Sequence, residues 1–273
     1  MIAPWKPAGE GALRRALLRA GAVVCALAAF AIVVLARPRL SRAFGDEGAF
    51  NPRMLLPGNA KWEGVRTSAP ARWAYELTRR TSAPARLRPT TVRPDDAALL
   101  AEPFAIWGGD ADVPPLTSRE VKGLKRFLAL GGILLVDDFA PESLAFTKAA
   151  KRELTRVIAD RVPVSIGAEN VVFRSFYFLK RPVGRVEGPS KIEAYVRGGS
   201  PQVIFSAHDL LGALARSQND TYAVQISPGT DPLQREKATR LAVNVAMYVL
   251  CSTYKDDQVH APFLMRRRSS EPQ

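Results

Sequence analysis

Cysteine and histidine are almost missing from this chain, with two of each in 273 residues. Cys25 lies in the N-terminal segment and Cys251 near the end of a helix, so the folded portion has one thiol and no internal disulfide, and its core alone must hold it. A single cysteine late in an apolar helix is expected as buried packing. The shortage of histidine narrows the chemistry too, because His208 and His260 are the only sources of an imidazole base. Clustered charge is also lacking. Net charge is +13, yet residues 1 to 43 carry seven of the 39 basic residues and one of the 26 acidic ones, leaving +7 for the rest. No basic stripe accompanies that excess, so nucleic acid is not an expected partner.

The length suffices for one α/β domain of about 200 residues plus extra segments, with a sizeable core. The N-terminus has the three parts of an export signal: a basic start, an uncharged stretch from Ala20 to Ala36, and a polar region ending in Ser41-Arg42-Ala43. Small residues at Ser41 and Ala43 fit a peptidase site before Phe44. Leu13-Arg14-Arg15-Ala16-Leu17-Leu18-Arg19 resembles a twin-arginine export motif, with Leu17 in place of the usual Phe. The competing reading is an uncleaved anchor. The stretch is Ala- and Gly-rich and somewhat short for a comfortable span. Either way the remainder is expected outside the cytoplasm, in the periplasm or cell envelope, or held at the inner membrane by residues 20 to 36, the one expected membrane contact. The expected division is 1 to 43 as signal or anchor, 44 to 252 as an α/β domain, and 253 to 273 as a tail ending in the basic run Arg266-Arg267-Arg268.

Within the domain, Gly131-Gly132-Ile133-Leu134-Leu135-Val136-Asp137-Asp138 is the organising stretch. A helix-ending glycine pair leads into four branched apolar residues and out through two carboxylates. A run apolar on both faces suits the middle of a parallel sheet covered by helices on either side. Upstream, Met54-Leu55-Leu56 reads as a first strand, and Ser68 and Pro70 start a helix over 69 to about 81. The seven-residue echo Arg66-Thr-Ser-Ala-Pro-Ala-Arg72 and Arg80-Thr-Ser-Ala-Pro-Ala-Arg86 punctuates that helix, since two such copies cannot stack a solenoid core. Leu87 to Val92 reads as a second strand and Phe104 to Trp107 as a third, ending in Gly108-Gly109-Asp110. Thr117-Ser-Arg-Glu120 is a capping box opening the helix into Gly131. Pro141 is expected to start the next helix. Residues 162 to 190 read as a loop-rich insertion or short hairpin. Ile192 to Arg197 and Gln202 to Phe205 read as a hairpin pair, and Asp231-Pro232 opens the last helix.

The order Phe104-Ala105-Ile106-Trp107-Gly108, Ile133-Leu134-Leu135-Val136-Asp137-Asp138, Phe173-Arg174-Ser175-Phe176-Tyr177 and Leu241-Ala242-Val243-Asn244-Val245-Ala246-Met247-Tyr248 resembles the bacterial family called domain of unknown function 4159. The likeness covers roughly residues 50 to 250. That family looks like a branch of the class I glutamine amidotransferase-like fold with no assigned activity. The resemblance therefore implies a three-layer, mostly parallel α/β sheet of the flavodoxin or class I glutamine amidotransferase-like type, and implies no chemistry. Many members carry a His-containing turn where this chain has Trp107-Gly108-Gly109-Asp110, so a role for that turn is not carried over.

Catalytic patterns fit poorly. A hydrolase elbow needs small residues beside its nucleophile, and Ser206 has Ile204 two before it and His208 two after it. Cys251 is in the wrong element. A phosphoreceiver needs an acceptor Asp on a later strand, and the segment from Phe176 to Gly184 offers none. What remains is a cluster at strand ends: Asp137 and Asp138 after one strand, His208 and Asp209 after another, with Trp107 beside them. Converging there, they could bind a polar ligand or a divalent cation. The alternative is that Asp138 and Asp209 cap helices or turns. The aromatic run Phe176-Tyr177-Phe178 is expected as core or lid packing. These features predict an exported binding component for a cell-envelope protein or small polar ligand, with no resident cofactor. A metal- or carboxylate-dependent hydrolase on the same scaffold is the competing expectation.

Overall fold

The structure, a computed structural model, describes residues 48–227 and 231–268, the side chains of 253–268 excepted. The expected export segment, its cleavage before Phe44 and the side chains of Arg266 to Arg268 lie outside the described residues. Seven strands form one sheet: β1 (Met54–Leu55), β2 (Thr91–Val92), β3 (Phe104–Gly109), β4 (Ile133–Asp138), β5 (Val164–Ile166), β6 (Ile192–Arg197) and β7 (Ser200–Ser206). Their spatial order is β2-β1-β3-β4-β7-β6-β5. The first five in that order run parallel, β6 is antiparallel to β7, and β5 is antiparallel to β6.

All six residues of β4 are buried, as its unbroken apolar run predicts. Successive residues face opposite layers. Ile133 and Leu135 join Phe104 and Ile106 on one face, under α1 (Ala69–Thr81), α4 (Leu210–Leu214) and α5 (Gln234–Arg268). Leu134 and Val136 join Ala105 and Trp107 on the other, under α2 (Ser118–Ala129) and α3 (Ala145–Val157). The result is the α/β, mostly parallel, three-layer arrangement expected from the sequence.

Local chemistry explains most boundaries. Helix α1 spans the expected residues, but the Ser68 hydroxyl does not cap it; it donates to the Arg216 carbonyl and accepts from the Arg216 amide, both at 2.7 Å. Thr117 and Glu120 form the full capping box of α2. The expected helix start at Pro141 is displaced. Residues 140 to 143 turn first, Leu144 adopts a left-handed φ of 56°, and α3 begins at Ala145. In the irregular 162 to 190 region, only the three residues of β5 join the sheet, at its edge. The stripe Ala238, Leu241, Ala242, Val245 and Val249 of α5 is buried as its spacing predicts. Cys251 is not: its thiol is exposed, two residues past the buried Val249. The backbone of α5 also stays helical through Arg268, where a separate tail was expected. No helix among the described residues is long and apolar enough to cross a membrane.

Gly123 lies within α2 where a Cβ would sit 1.9 Å from the Pro94 carbonyl oxygen. Helix propensity alone favours Ala over Gly by about 1 kcal/mol. Because the obstacle is backbone, Gly123→Ala is expected to lower the urea midpoint; a raised midpoint would show that the 93–96 turn yields freely.

Candidate functional site

Strands β4 and β7 are neighbours, with Asp137 registered against Ser206, so the expected cluster does form at their carboxyl ends. Its members turn in different directions. Asp137 is fully buried and accepts from the Leu210 and Leu211 amides at 2.9 and 2.8 Å. Asp209 accepts from the Gly212 amide at 2.9 Å. Together the two carboxylates satisfy the first three N–H groups of α4, which a helix of five residues cannot satisfy internally. Asp138 accepts from the Ala140 amide at 3.0 Å, the Thr147 amide at 3.1 Å and the Thr147 hydroxyl at 2.6 Å, so it caps α3 across the displaced turn.

Asp209 has a second set of partners. The Arg66 guanidinium donates to both its oxygens, at 2.8 and 2.6 Å, and Arg185 Nε donates to Oδ2. Arg66 also lies 4.6 Å from the Phe139 ring centroid and donates to the Phe139 carbonyl. A buried carboxylate is thus held between two arginines from distant loops, a fork geometry that suits Arg. Neither Arg66 nor Arg185 stood out in the sequence. Arg66 opens the first copy of the echo, and nothing local marks a partner 143 residues away.

A strap from Val183 to Pro189 covers this end of the sheet. Its Arg185 and Val186 amides donate to the Asp209 and His208 carbonyls at 3.1 and 3.2 Å. Gly184 and Gly188 permit the approach, since a Cβ would come within 2.0 Å of the His208 oxygen and 2.7 Å of the Ala207 oxygen respectively. Beneath the strap, His208 is buried, with Nε2 3.0 Å from the Pro189 carbonyl. That places the ring proton on Nε2, and Nδ1 has no partner. The buried Ser206 hydroxyl lies beside the Asp137 carboxylate, without a well-formed hydrogen bond, and is not paired with His208. Trp107 points to the other layer, edge-on to Phe146 at 5.8 Å. Gly108 and Gly109 leave space that Phe139 and Phe146 fill, within 2.3 and 2.6 Å of where a Cβ would be.

Electrostatics follow from burial. Asp137 is pushed up to about 7, first by desolvation and then by the neighbouring Asp209 carboxylate, against the Leu211 and Leu210 amides and the nearby Ser206 hydroxyl. His208 is pushed down to about 4 by burial, aided by Arg181 and opposed by the Pro189 carbonyl. Among the described residues no group of three or more His, Cys, Asp or Glu side chains could hold a metal ion.

An α/β protein with a mostly parallel sheet, whose strand-end carboxylates cap its own helices, is the class these features define. Residues 54–250 match the family Domain of unknown function (DUF4159), and the chain belongs to that family. No curated protein matches the chain.

Two outcomes are expected from this geometry. Asp209→Ala leaves two arginines facing a buried gap, and should cost about 3–5 kcal/mol in chemical denaturation; a loss within experimental error would mean that water replaces the carboxylate. The pH dependence has opposed parts. Asp137 keeps its proton in the folded state while the unfolded chain has lost it, so it lowers stability as pH rises from about 4 to about 7. His208 stays neutral in the folded state while the unfolded chain binds a proton, so it raises stability as pH rises from about 4 to about 6.5. Asp137→Asn should therefore steepen the rise of stability with pH over that range, measured by urea melts at fixed temperature. An unchanged slope would refute the raised Asp137 titration.

Proposed function

We propose that the protein is an exported cell-envelope component whose α/β domain binds a ligand or protein partner and does no chemistry at its strand ends. The observation that carries this reading is the state of the three strand-end carboxylates. Asp137, Asp138 and Asp209 all accept hydrogen bonds from backbone amides, and Asp209 also holds Arg66 and Arg185. A general base or metal ligand needs an acceptor that a substrate or cation can reach, and all three carboxylates are fully buried.

The scaffold reading is supported by strand order. From one edge the sheet runs β2-β1-β3-β4-β7, the flavodoxin-like pattern with β7 in fifth place and β6-β5 added outside it. Ligands of such folds bind where the order reverses, beyond the carboxyl ends of β1 and β3. Here Phe139 and Phe146 pack over the end of β3 at Gly108 and Gly109, with Trp62 against Phe139 at 6.3 Å.

Export rests on the N-terminal pattern, and its test is separate. Cell fractionation with N-terminal sequencing should find mature protein beginning near Phe44, or an anchored form at the inner membrane; a soluble cytoplasmic product retaining Met1 refutes export. For the absence of chemistry, Mg²⁺, Mn²⁺ and Zn²⁺ are expected to leave the wild-type melting temperature unchanged, while Asp137→Ala and His208→Ala lower it with or without them. A cation-induced rise that disappears in Asp137→Ala would instead establish the metal-dependent hydrolase reading.

A further inference from the structure

A cavity of about 800 Å³ opens at the opposite, amino-terminal edge of the sheet. It lies between the end of α2, the starts of β4 and β7, the β6-β7 turn and the Tyr248–Ser252 turn of α5. Its size falls within the range of about 300–1,000 Å³ typical of small-molecule sites. Arg174 and Arg197 line it, and no Asp or Glu is among the described residues of its wall.

The charges in this wall are arranged to leave positive potential free. The last carbonyls of α2 form the negative end of a helix dipole and would repel an anion. They are covered: Arg197 Nη1 donates to the Leu128 and Ala129 carbonyls at 3.2 and 3.0 Å, and Gln202 Nε2 donates to Leu128 as well. The other guanidinium nitrogens of Arg197 make no hydrogen bond among the described residues. Arg174 makes no side-chain hydrogen bond among them either. Glu169, which is not part of the wall, interacts with it electrostatically without a side-chain hydrogen bond between the two. Beside these cations stand apolar groups left in water, Leu130 at 67% and Val171 at 46% exposure. Tyr248 adds a ring whose hydroxyl is already donated to the Pro201 carbonyl.

We propose that this cavity binds an oxyanion, a phosphate or carboxylate, carried on an apolar body. Arg174 and Arg197 take the anion, and Leu130 and Val171 take the apolar part, with the edge of the largely buried Tyr248 behind them. The assignment rests on the binding reading above and moves it to the edge where acceptors are covered and donors are free. A soluble organic anion and an anionic lipid headgroup share this chemistry.

Cys251 lines the same cavity and its thiol is exposed, which supplies the readout. In the full-length chain carrying Cys25→Ser, Cys251 is the only thiol, and its rate of alkylation by a maleimide reports occupancy. Phenyl phosphate at about ten times its Kd should slow alkylation roughly tenfold. Inorganic phosphate at the same concentration should slow it less. The effect should be lost in Arg174→Glu, a change that breaks no hydrogen bond of the described residues, and partly kept in Arg174→Lys, with both variants melting as the parent does. Protection by phosphatidylglycerol vesicles but not by phosphatidylcholine vesicles or phenyl phosphate identifies the lipid headgroup as the source; protection by phenyl phosphate alone identifies a soluble anion. No slowing by phenyl phosphate or by phosphatidylglycerol overturns the proposal, as does slowing that persists in Arg174→Glu. Equal slowing by inorganic and phenyl phosphate overturns the apolar half. Ester hydrolysis abolished by Asp137→Ala would bring down the non-catalytic reading instead and leave this result standing.

Discussion

Burial of the Asp209 carboxylate is the constraint on which the carboxyl edge of the sheet depends. A carboxylate removed from water needs compensation at both oxygens, and here it receives one amide of α4 and two guanidinium groups. Those groups come from three separate places in the chain. Arg66 precedes α1, Arg185 belongs to the strap, and Asp209 follows β7, so a single ion-pair cluster ties the first helix, the irregular insertion and a central strand together. The left-handed backbone of Asp209, φ 51°, is part of the same arrangement, because it turns the chain sharply from β7 into α4. Asp137 completes it from the adjacent strand by capping the two amides that Asp209 does not reach.

The same cluster bears on what the protein can do. Open α/β sheets ordinarily receive ligands at the carboxyl edge, where loops diverge and helix N-termini point outward. In this chain the N-termini of α3 and α4 already hold carboxylates from the protein itself, aromatic rings pack against the end of β3, and the strap hydrogen-bonds to the backbone just past β7. At the amino edge the balance is reversed. The carbonyls of α2 are covered by Arg197 and Gln202, and guanidinium groups face an open cavity. The carboxyl ends of β4 and β7 are thus taken up by the protein's own groups, whereas a cavity opens at the amino edge.

Much of the architecture was legible in the sequence, and for identifiable reasons. The run Ile133 to Val136, the capping box at Thr117 and Glu120, and the stripe on α5 are local patterns, set by side-chain periodicity and backbone donors within a few residues. Misreadings arose where the decision was not local. Ser68 has the right identity for an N-cap but its hydroxyl is taken by Arg216, far along the chain. Pro141 is compatible with a helix start, yet Asp138 reaches Thr147 and sets the start of α3 at Ala145. Cys251 follows an apolar stripe, but it borders an open cavity rather than the core.

The candidate cluster divides in the same way. That carboxylates end β4 and that His208 and Asp209 follow a neighbouring strand could be read from residue order, because strand direction and side-chain alternation fix where such groups emerge. Whether they are free or engaged could not, since their partners Arg66, Arg185, Thr147 and the Pro189 carbonyl lie 9 to 143 residues away. The sequence by itself determined the layers, the central strand and the placement of acidic groups at its end. Only the tertiary structure decided that those groups are engaged by amides and arginines of the same chain and that a cavity lined by Arg174 and Arg197 lies at the other edge, because hydrogen-bond partners and empty space are properties of chain segments brought together, which no local pattern encodes.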